Sequence, residues 1–539
     1  MPPAYERSST ELRRFYLDDL SSGAHYDRNI FNVPPGGCVE NSNLVWVDGI
    51  LRPRQGYAEY STPTGSTEPV LHLALYRPFT GGVADLCRIT QAGLNFKFYR
   101  LTSGVWVEAT PTGGIPAFLV GAPPVTVTSC NFKGKIFFTI AGFLWSYDGT
   151  VVAQLPSLQP VTALQCPLQP QIVAAGDSRL FLANMTTSYG TAGMLPTTYR
   201  IAWSDFLREN VWNGGQGAGS SGFQDLPNFS TPITGVYVSG TTLMVFKPRE
   251  LYLGVFQGQP ATYTFSSFVR GPGCVAQNTI VDYRDGTIIW LGDDNVYIGS
   301  PGQQPIPIGD KIKNRIRTAV NLTNIYQASA VVDIDNHLYT VYCPDIANSG
   351  NIRILFTVNL KTGAWFEGEL FDVGKSVLCT LSIRSSNWTT KNLVGMKDGR
   401  ILEKSFSYTK DAGSTFPGFW KTGAFQVKGI FQQQAEQASM QYARFSGTRA
   451  SVDTAWNSPL DAVTPESLTF GMSYAKGLDI WNDVAMGSQG IDGTNGPRVY
   501  TSTRWTGENF RINISFNDAS SCPHIHRLDA GFIAQGVTR

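Results

Sequence analysis

Charge is scarce in this chain. Lysine, arginine, aspartate and glutamate make up 15% of its 539 residues and nearly cancel, leaving a formal net charge of +1. No basic or acidic block stands out. Affinity for DNA comes largely from clustered Lys and Arg that displace counterions, so this composition excludes a protein that grips DNA tightly. Histidine is scarcer still: His25, His72, His337, His524 and His526 are the full supply, a thin stock for Ser-His-Asp or Cys-His catalysis. Neither a Gly-x-Ser-x-Gly elbow nor a phosphate-binding Gly-Lys-Ser/Thr loop occurs. Cys-x-x-Cys pairs are missing as well. The eight cysteines (Cys38, Cys87, Cys130, Cys166, Cys274, Cys343, Cys379 and Cys522) read as buried thiols of a protein assembled in a reducing cytoplasm. No run approaches the roughly 20 apolar residues of a membrane helix. The N-terminus lacks the continuous apolar stretch of a secretory signal, so no membrane anchor is expected.

What is abundant is glycine, at 55 residues, and aromatic side chains, at 12%. From about residue 70 to 412 the chain reads as short runs rich in Val, Ile, Tyr, Phe and Trp, punctuated by Gly, Asp and Asn. Such runs are antiparallel hairpins in series. They group into blocks at 70–110, 125–155, 172–213, 222–268, 273–309, 325–370 and 377–412, close to the period of a four-stranded propeller blade. Asp-Gly turns recur at Asp48-Gly49, Asp148-Gly149, Asp285-Gly286 and Asp398-Gly399, each suited to a tight positive-φ connection. Leu101-Thr102-Ser103-Gly104-Val105-Trp106 and Leu360-Lys361-Thr362-Gly363-Ala364-Trp365 are near copies.

The chain exceeds what one core normally serves. We expect an all-β protein: a β-propeller of six to eight blades followed by a small C-terminal β-sandwich. Residues 1–60 form an N-terminal arm and first hairpin, 61–414 the propeller and 415–539 the sandwich. In the arm, Ser8 to Glu11 matches a capping box. Leu12, Phe15, Tyr16 and Leu20 then share one face of a short helix, which either packs on its own domain or docks on a neighbouring subunit. Arg52-Pro53-Arg54 reads as a solvated turn, with contact to a phosphate or a partner carboxylate as the alternative. A helix over Lys311–Val320, capped by Asp310, packs through Ile312, Ile316 and Ala319; its basic residues Lys311, Lys313, Arg315 and Arg317 could instead form an interface or line a lumen. In the last part Phe510 to Phe516 alternates strictly, as a half-buried strand does. Tyr442–Phe445 and Leu468–Tyr474 are further strands, and 487–496 reads as a glycine-rich insertion.

No catalytic, cofactor-binding or metal-ligating residue is assigned. His524 and His526 would point to one side of a strand, but no second ligand pair stands at zinc spacing. Asp333-Ile334-Asp335-Asn336 opens like a calcium loop, lacks the closing Glu, and reads as a hairpin turn. Ser146-Tyr147-Asp148-Gly149-Thr150 has the wrong spacing for the Asp-box of sialidase propellers.

One stretch resembles a known family. Trp203-Ser204-Asp205, Gly222-Phe223-Gln224-Asp225-Leu226 and Thr234-Gly235-Val236 come first, followed by Val245-Phe246-Lys247, Gly273-Cys274-Val275-Ala276 and Trp290-Leu291-Gly292. In this order and spacing they resemble the tail hub or nozzle proteins of short-tailed bacteriophages, the group that includes the packed-DNA stabilisation proteins. The resemblance weakens toward the N-terminus and returns after about residue 420, at Phe510 to Phe516 and Arg527-Leu528-Asp529. It implies a non-enzymatic structural virion protein, assembled in the host cytoplasm. It also implies a homo-oligomeric ring of six copies at the distal end of the tail, through which double-stranded DNA passes without specific binding. The implied partners are a tail adaptor protein above, and tail fibres or tailspikes and a needle or plug below. The alternative is a propeller that binds or cleaves surface glycans.

Overall fold

Each strand in the middle of this chain carries large apolar residues on both faces, and that property decides the architecture. Leu243 and Val245 point to one side of their strand while Met244 and Phe246 point to the other, and all four are fully buried. A four-stranded sheet that is apolar on both faces is stable only between two others. In the computed structural model, seven consecutive sheets solve this by packing face to face in a ring. The structure describes residues 12–426, apart from short segments of which 117–125, 156–169 and 186–196 are the longest. Beyond 426 it describes the strands Ala435–Thr448, Leu468–Ala475, Asn482–Gln489, Trp505–Gly507, Asn509–Phe516 and His524–Val537.

The first six sheets follow chain order, spanning 70–108, 128–154, 170–225, 235–270, 281–307 and 329–369. Within each, strands pair antiparallel with their sequence neighbours. The seventh combines Val377–Arg384, Thr390–Met396 and Ile401–Ser405 with Gly56–Ser61 from near the other end of the chain. One apolar cluster fills each junction between neighbouring sheets. The last of these packs Val70, Leu73, Leu86, Tyr99 and Trp106 of the first sheet against Cys379, Leu393 and Ile401 of the seventh, and closes the ring. Closure leaves no free apolar face and few unpaired edges. The protein is therefore all-β with a β-propeller, as the sequence predicts.

The hairpin turns follow their residues. Asp48 and Gly49 both take positive φ (51° and 81°) between Leu44–Val47 and Ile50–Pro53, and Asp285 and Gly286 do the same (52° and 73°). This is the geometry that matches strand twist. The two near-copy turns join the last two strands of the first and sixth sheets and bury Trp106 and Trp365. One strand departs from the sequence blocks: Gly222–Asp225 pairs with Thr197–Trp203 and so completes the third sheet instead of opening the fourth.

Both chain ends share two further sheets. One contains Leu44–Val47 and Ile50–Pro53 with Ala435–Thr448, Trp505–Gly507 and His524–Val537. The other contains Gly23–Ala24 and Gly37–Ser42 with Gly418–Thr422, Asn509–Phe516, Leu468–Ala475 and Asn482–Gln489. Phe510, Ile512, Ile514 and Phe516 are buried and the residues between them are not, as their alternation predicts.

Two expectations about helices fail. Leu12–Leu17 is a strand, paired with Leu528–Ile533, where the sequence suggests a helix. The proposed cap residues Ser8 and Glu11 lie outside the described residues. A helix of two or three turns is marginal in water, whereas an existing strand edge satisfies the backbone of six residues at once. Over Leu12–Leu17 the arm pairs with its own chain. The second failure is the Asp310 cap. The helix forms at Lys313–Ala319 behind a 3-10 turn, and Ile312, Ile316 and Ala319 are buried as expected. The Asp310 carboxylate, however, accepts from Asn295 Nδ2 at 2.7 Å. Three of the four cations are occupied within the chain: Arg315 pairs with Glu367, Lys313 with Asp294, and Lys311 donates to the carbonyls of Ser22 and Gly363. The packing role holds, and these three do not present a basic interface.

Candidate functional site: the channel and the closure seam

The first strand of every sheet lines the axis of the ring, so the axis is a channel of about 820 Å³. Its wall is mostly polar and includes His72, Ser129, Tyr237, Asp282, Ser382 and Arg384. The inner strands are where the sheets approach each other most closely, and short polar side chains fit that taper.

One pair in the channel has the outline of a nucleophile and its base. His72 Nε2 lies 2.7 Å from Ser129 Oγ. Burial pushes the His72 imidazole down to about 4, with no carboxylate opposing the shift. A base this weak is mostly neutral at pH 7 but takes up a proton poorly. The pair reads as a satisfied hydrogen bond between the first two sheets. Across the channel the Tyr237 hydroxyl donates to Asp282, tying the fourth sheet to the fifth. Burial and this carboxylate both raise the phenol above its ordinary range.

The second polar concentration is buried. The Arg54 guanidinium meets Asp411 through Nη1 and Nη2, and it also donates to Asn43 Oδ1 and to the carbonyls of Gln55 and Glu369. It stacks 4.0 Å from the Phe416 ring centroid. Arg52 lies over Phe406 at 4.1 Å. The solvated turn expected for Arg52-Pro53-Arg54 is thus corrected: Arg54 is 6% exposed and binds a carboxylate of its own chain. Next to it, Gln55 donates to Asp333, Lys404 donates to Thr340 Oγ1, and the Tyr57 and Tyr342 hydroxyls share a hydrogen bond. Burial pushes the Lys404 ammonium down to about 7; Arg54 adds to the fall and Asp333 opposes it. These groups sit where the closing strand Gly56–Ser61, the sixth and seventh sheets and the segment leading to Gly418 converge. The seam is a structural lock, too densely filled to admit a substrate: its cavity measures only about 10 Å³.

Other sequence candidates resolve as follows. Asp333 accepts from the Asn336 backbone and side-chain amides, forming a hairpin turn as predicted. Asp148 accepts from the amides of Thr150 and Val151 and from the Thr150 hydroxyl, a turn cap. Cys38, Cys87, Cys130, Cys274, Cys343 and Cys379 are free thiols, all buried except half-buried Cys130. Burial pushes Cys87, Cys274 and Cys343 up to about 12, which suppresses the reactive thiolate. Cys166 and Cys522 lie outside the described residues, as do the side chains of His524 and His526 and the insertion beyond 489. Among the described residues no group of three or more His, Cys, Asp or Glu gathers to hold a metal.

The motifs that carry the family resemblance turn out to be packing motifs. Trp203 Nε1 donates to Ser220 O, and Asp205 accepts from the Ser220 amide and hydroxyl. Gly222 lies under the Trp203 ring, where a Cβ would come within 2.7 Å of it. Gln224 exchanges hydrogen bonds with the Phe265 backbone, and Asp225 pairs with Arg200. Lys247 is fully buried, its ammonium donating to the carbonyls of Pro227 and Asn228. Trp290 Nε1 donates to Gly273 O. Gln224 ties the third sheet to the fourth, Lys247 and Trp290 hold the connections that lead into their own sheets, and the other contacts are internal to the third sheet. The polar lock around Arg54 left no signal in the sequence, because its members come from five distant segments.

No family model matches the sequence, and no curated protein matches it. Similar solved structures include YCF48 bound to D1 peptide, at TM-score 0.37 and 8% identity over 68% of this chain and 97% of that one. Another is a fungal alcohol oxidase of the AA5 family in complex with copper, at TM-score 0.41 and 13% identity over 89% and 99%. A third is YCF48 from Cyanidioschyzon merolae, at TM-score 0.37 and 10% identity over 65% and 98%.

Proposed function

We propose that this protein is a non-catalytic structural subunit of a short phage tail. In this reading about six copies form the distal nozzle or hub ring that retains packed DNA and then conducts it. The observation that carries the reading is the ordered set of motifs from Trp203 to Gly292, which resembles that family. Each motif residue described above has a partner within its own sheet, in the adjoining connection or on the neighbouring sheet. Three features support it. The net charge of +1 leaves DNA free to pass, since dense phosphate contacts would hold it. The His72–Ser129 pair in the channel is a poor acid–base couple. Both chain ends are woven into shared sheets, which suits a subunit that must resist internal pressure. An adaptor ring above, and fibres or tailspikes and a needle or plug below, complete the expected assembly in the virion.

The test is the native mass of the purified chain, with imaging of its particles. Closed rings near six times 58.9 kDa are expected. Particles made without the protein should fill with DNA and then lose it. A monomer at micromolar concentration whose location in the virion is the capsid shell would overturn the reading. Release of sugar from host polysaccharide by the pure protein would favour the glycan-acting alternative.

A further inference from the structure

Five Asp-Gly pairs occur in the chain: Asp48-Gly49, Asp148-Gly149, Asp285-Gly286, Asp398-Gly399 and Asp492-Gly493. The last lies outside the described residues. Each pair is open to the same reaction, because glycine has no Cβ to shield its backbone nitrogen from the aspartate carboxyl beside it. What differs from pair to pair is how the fold holds the two reacting groups, the carboxyl carbon and the glycine amide.

Two of the turns are tied down. Asp148 Oδ1 accepts from the Thr150 amide at 2.9 Å, the Thr150 hydroxyl at 2.7 Å and the Val151 amide at 2.9 Å. Around it the Tyr76 hydroxyl donates to Asp148 O, and Arg100 and Tyr147 donate to Gly149 O. A Cβ on Gly149 would lie 2.5 Å from the Tyr76 hydroxyl. At Asp398 both reacting groups are engaged. The carboxylate accepts from the Arg400 amide at 3.2 Å and from Arg400 Nε at 2.8 Å, and the Gly399 amide donates to Met396 O at 3.2 Å. Asp48-Gly49 is the opposite case. It is the exposed tip of the hairpin 44–53. Among the described residues neither the Asp48 carboxylate nor the Gly49 amide has a hydrogen-bond partner, and nothing lies within 4 Å of the Gly49 Cβ position. Asp285 is untethered too, but Gly286 is half-buried, with Ser239 Oγ 3.8 Å from its Cβ position.

We propose that Asp48-Gly49 is a site of spontaneous isoaspartate formation, singled out by the fold from the tethered pairs. The Gly49 backbone nitrogen gives up its proton and bonds to Asp48 Cγ, and one carboxyl oxygen leaves as water. The product is a five-membered succinimide, which water then opens. Cleavage of the new bond returns aspartate. Cleavage of the original peptide bond leaves the main chain running through Cβ and Cγ, with the former main-chain carbonyl as a free carboxylate. The water lost in the first step is regained in the second, so no oxidant or cofactor is consumed. The ring closes only when the turn leaves its native backbone angles. At an exposed hairpin tip that opening is local and breaks no side-chain contact, whereas at Asp148 and Asp398 it breaks several hydrogen bonds at once. Isoaspartate adds one methylene to the main chain of a two-residue turn and so disturbs the pairing of Val47 with Ile50. The hairpin leads directly into Arg54, which places the modification next to the closure seam. The chemistry belongs to a single copy of the chain and does not depend on the ring reading.

Peptide mapping of the full chain, aged in its native state at physiological temperature and pH 6, tests the assignment. A mildly acid pH protonates part of the carboxyl, so that water can leave. Electron-transfer fragmentation tells isoaspartate from aspartate at each position. Isoaspartate should accumulate at Asp48 at least about tenfold faster than at Asp148 or Asp398, the factor given by roughly one or two hydrogen bonds of extra opening free energy. In denaturant the three rates should converge, since glycine follows each aspartate and the tethers are gone. Equal native rates at the three positions would overturn the proposal. So would a lead for Asp48 that persists undiminished in denaturant, which would assign the difference to neighbouring residues in the sequence and not to the fold. Neither outcome bears on the oligomeric state.

Discussion

Arg54 and Asp411 face each other as a bidentate pair, Nη1 to Oδ1 at 3.0 Å and Nη2 to Oδ2 at 2.5 Å, across 357 residues of sequence. Their side chains are 6% and 3% exposed. The pair joins the segment entering the propeller to the segment leaving it. The remaining guanidinium donors are taken up by Asn43 and two carbonyls, so no part of the charge is left unsolvated.

Breaking this pair from one side should be expensive. Arg54→Met leaves the Asp411 carboxylate buried, and Asp411→Leu leaves the guanidinium. Each should cost about 3–5 kcal/mol in denaturant unfolding. The double variant should recover a large part of that loss, because neither charge is then stranded. Equal losses in the three variants would show that shape, and not charge pairing, matters at the seam.

Lys404 gives the fold a pH dependence of defined sign. Its folded value lies near 7 and its ordinary value is 10.5. Between these limits the unfolded chain holds a proton that the folded chain has released. Stability therefore rises as pH increases through this window. In urea unfolding the wild type should gain stability between pH 7 and pH 8 relative to Lys404→Met, below the range in which the buried thiols, whose raised values act with the opposite sign, begin to titrate in the unfolded chain. His25 and His72, both held down to about 4 by burial, act below it. Protonation favours the unfolded chain as pH falls from 6.5, so stability should decline toward pH 4.

Gly273→Ala tests the junction of the fourth and fifth sheets. A Cβ there would sit 2.2 Å from the carbonyl oxygens of Lys247 and Pro248. Those atoms are backbone and cannot rotate aside. Overpacking of this kind costs roughly 1–3 kcal/mol, visible as a lower unfolding midpoint. By contrast, alanine at Gly49 meets nothing within 4 Å and should cost only the strain of its positive φ.

The thiols should be silent until the chain unfolds. Mass spectrometry after alkylation without reductant should show slow labelling of native protein and eight additions in denaturant. Two or more missing additions would reveal disulfides.

By itself the sequence determined the local grammar. Strand and turn assignments at Asp48-Gly49, Asp285-Gly286 and Phe510 to Phe516 follow from period-two alternation and from residues that tolerate positive φ. Both are properties of a few adjacent residues. The all-β class and the serial sheets follow, because hairpins join neighbours in sequence. The contacts across the channel were not legible: His72 meets Ser129, and Tyr237 meets Asp282, from strands of different sheets, each ordinary on its own. Only the tertiary structure decided long-range pairing. It took Gly56–Ser61 to the seventh sheet and Leu12–Leu17 to the last strand, and it buried Arg54 against Asp411. The physical reason is the same in each case. A strand edge, or a buried charge, is satisfied by whatever group the closed ring brings to it, and no pattern within a short window encodes which distant group that will be.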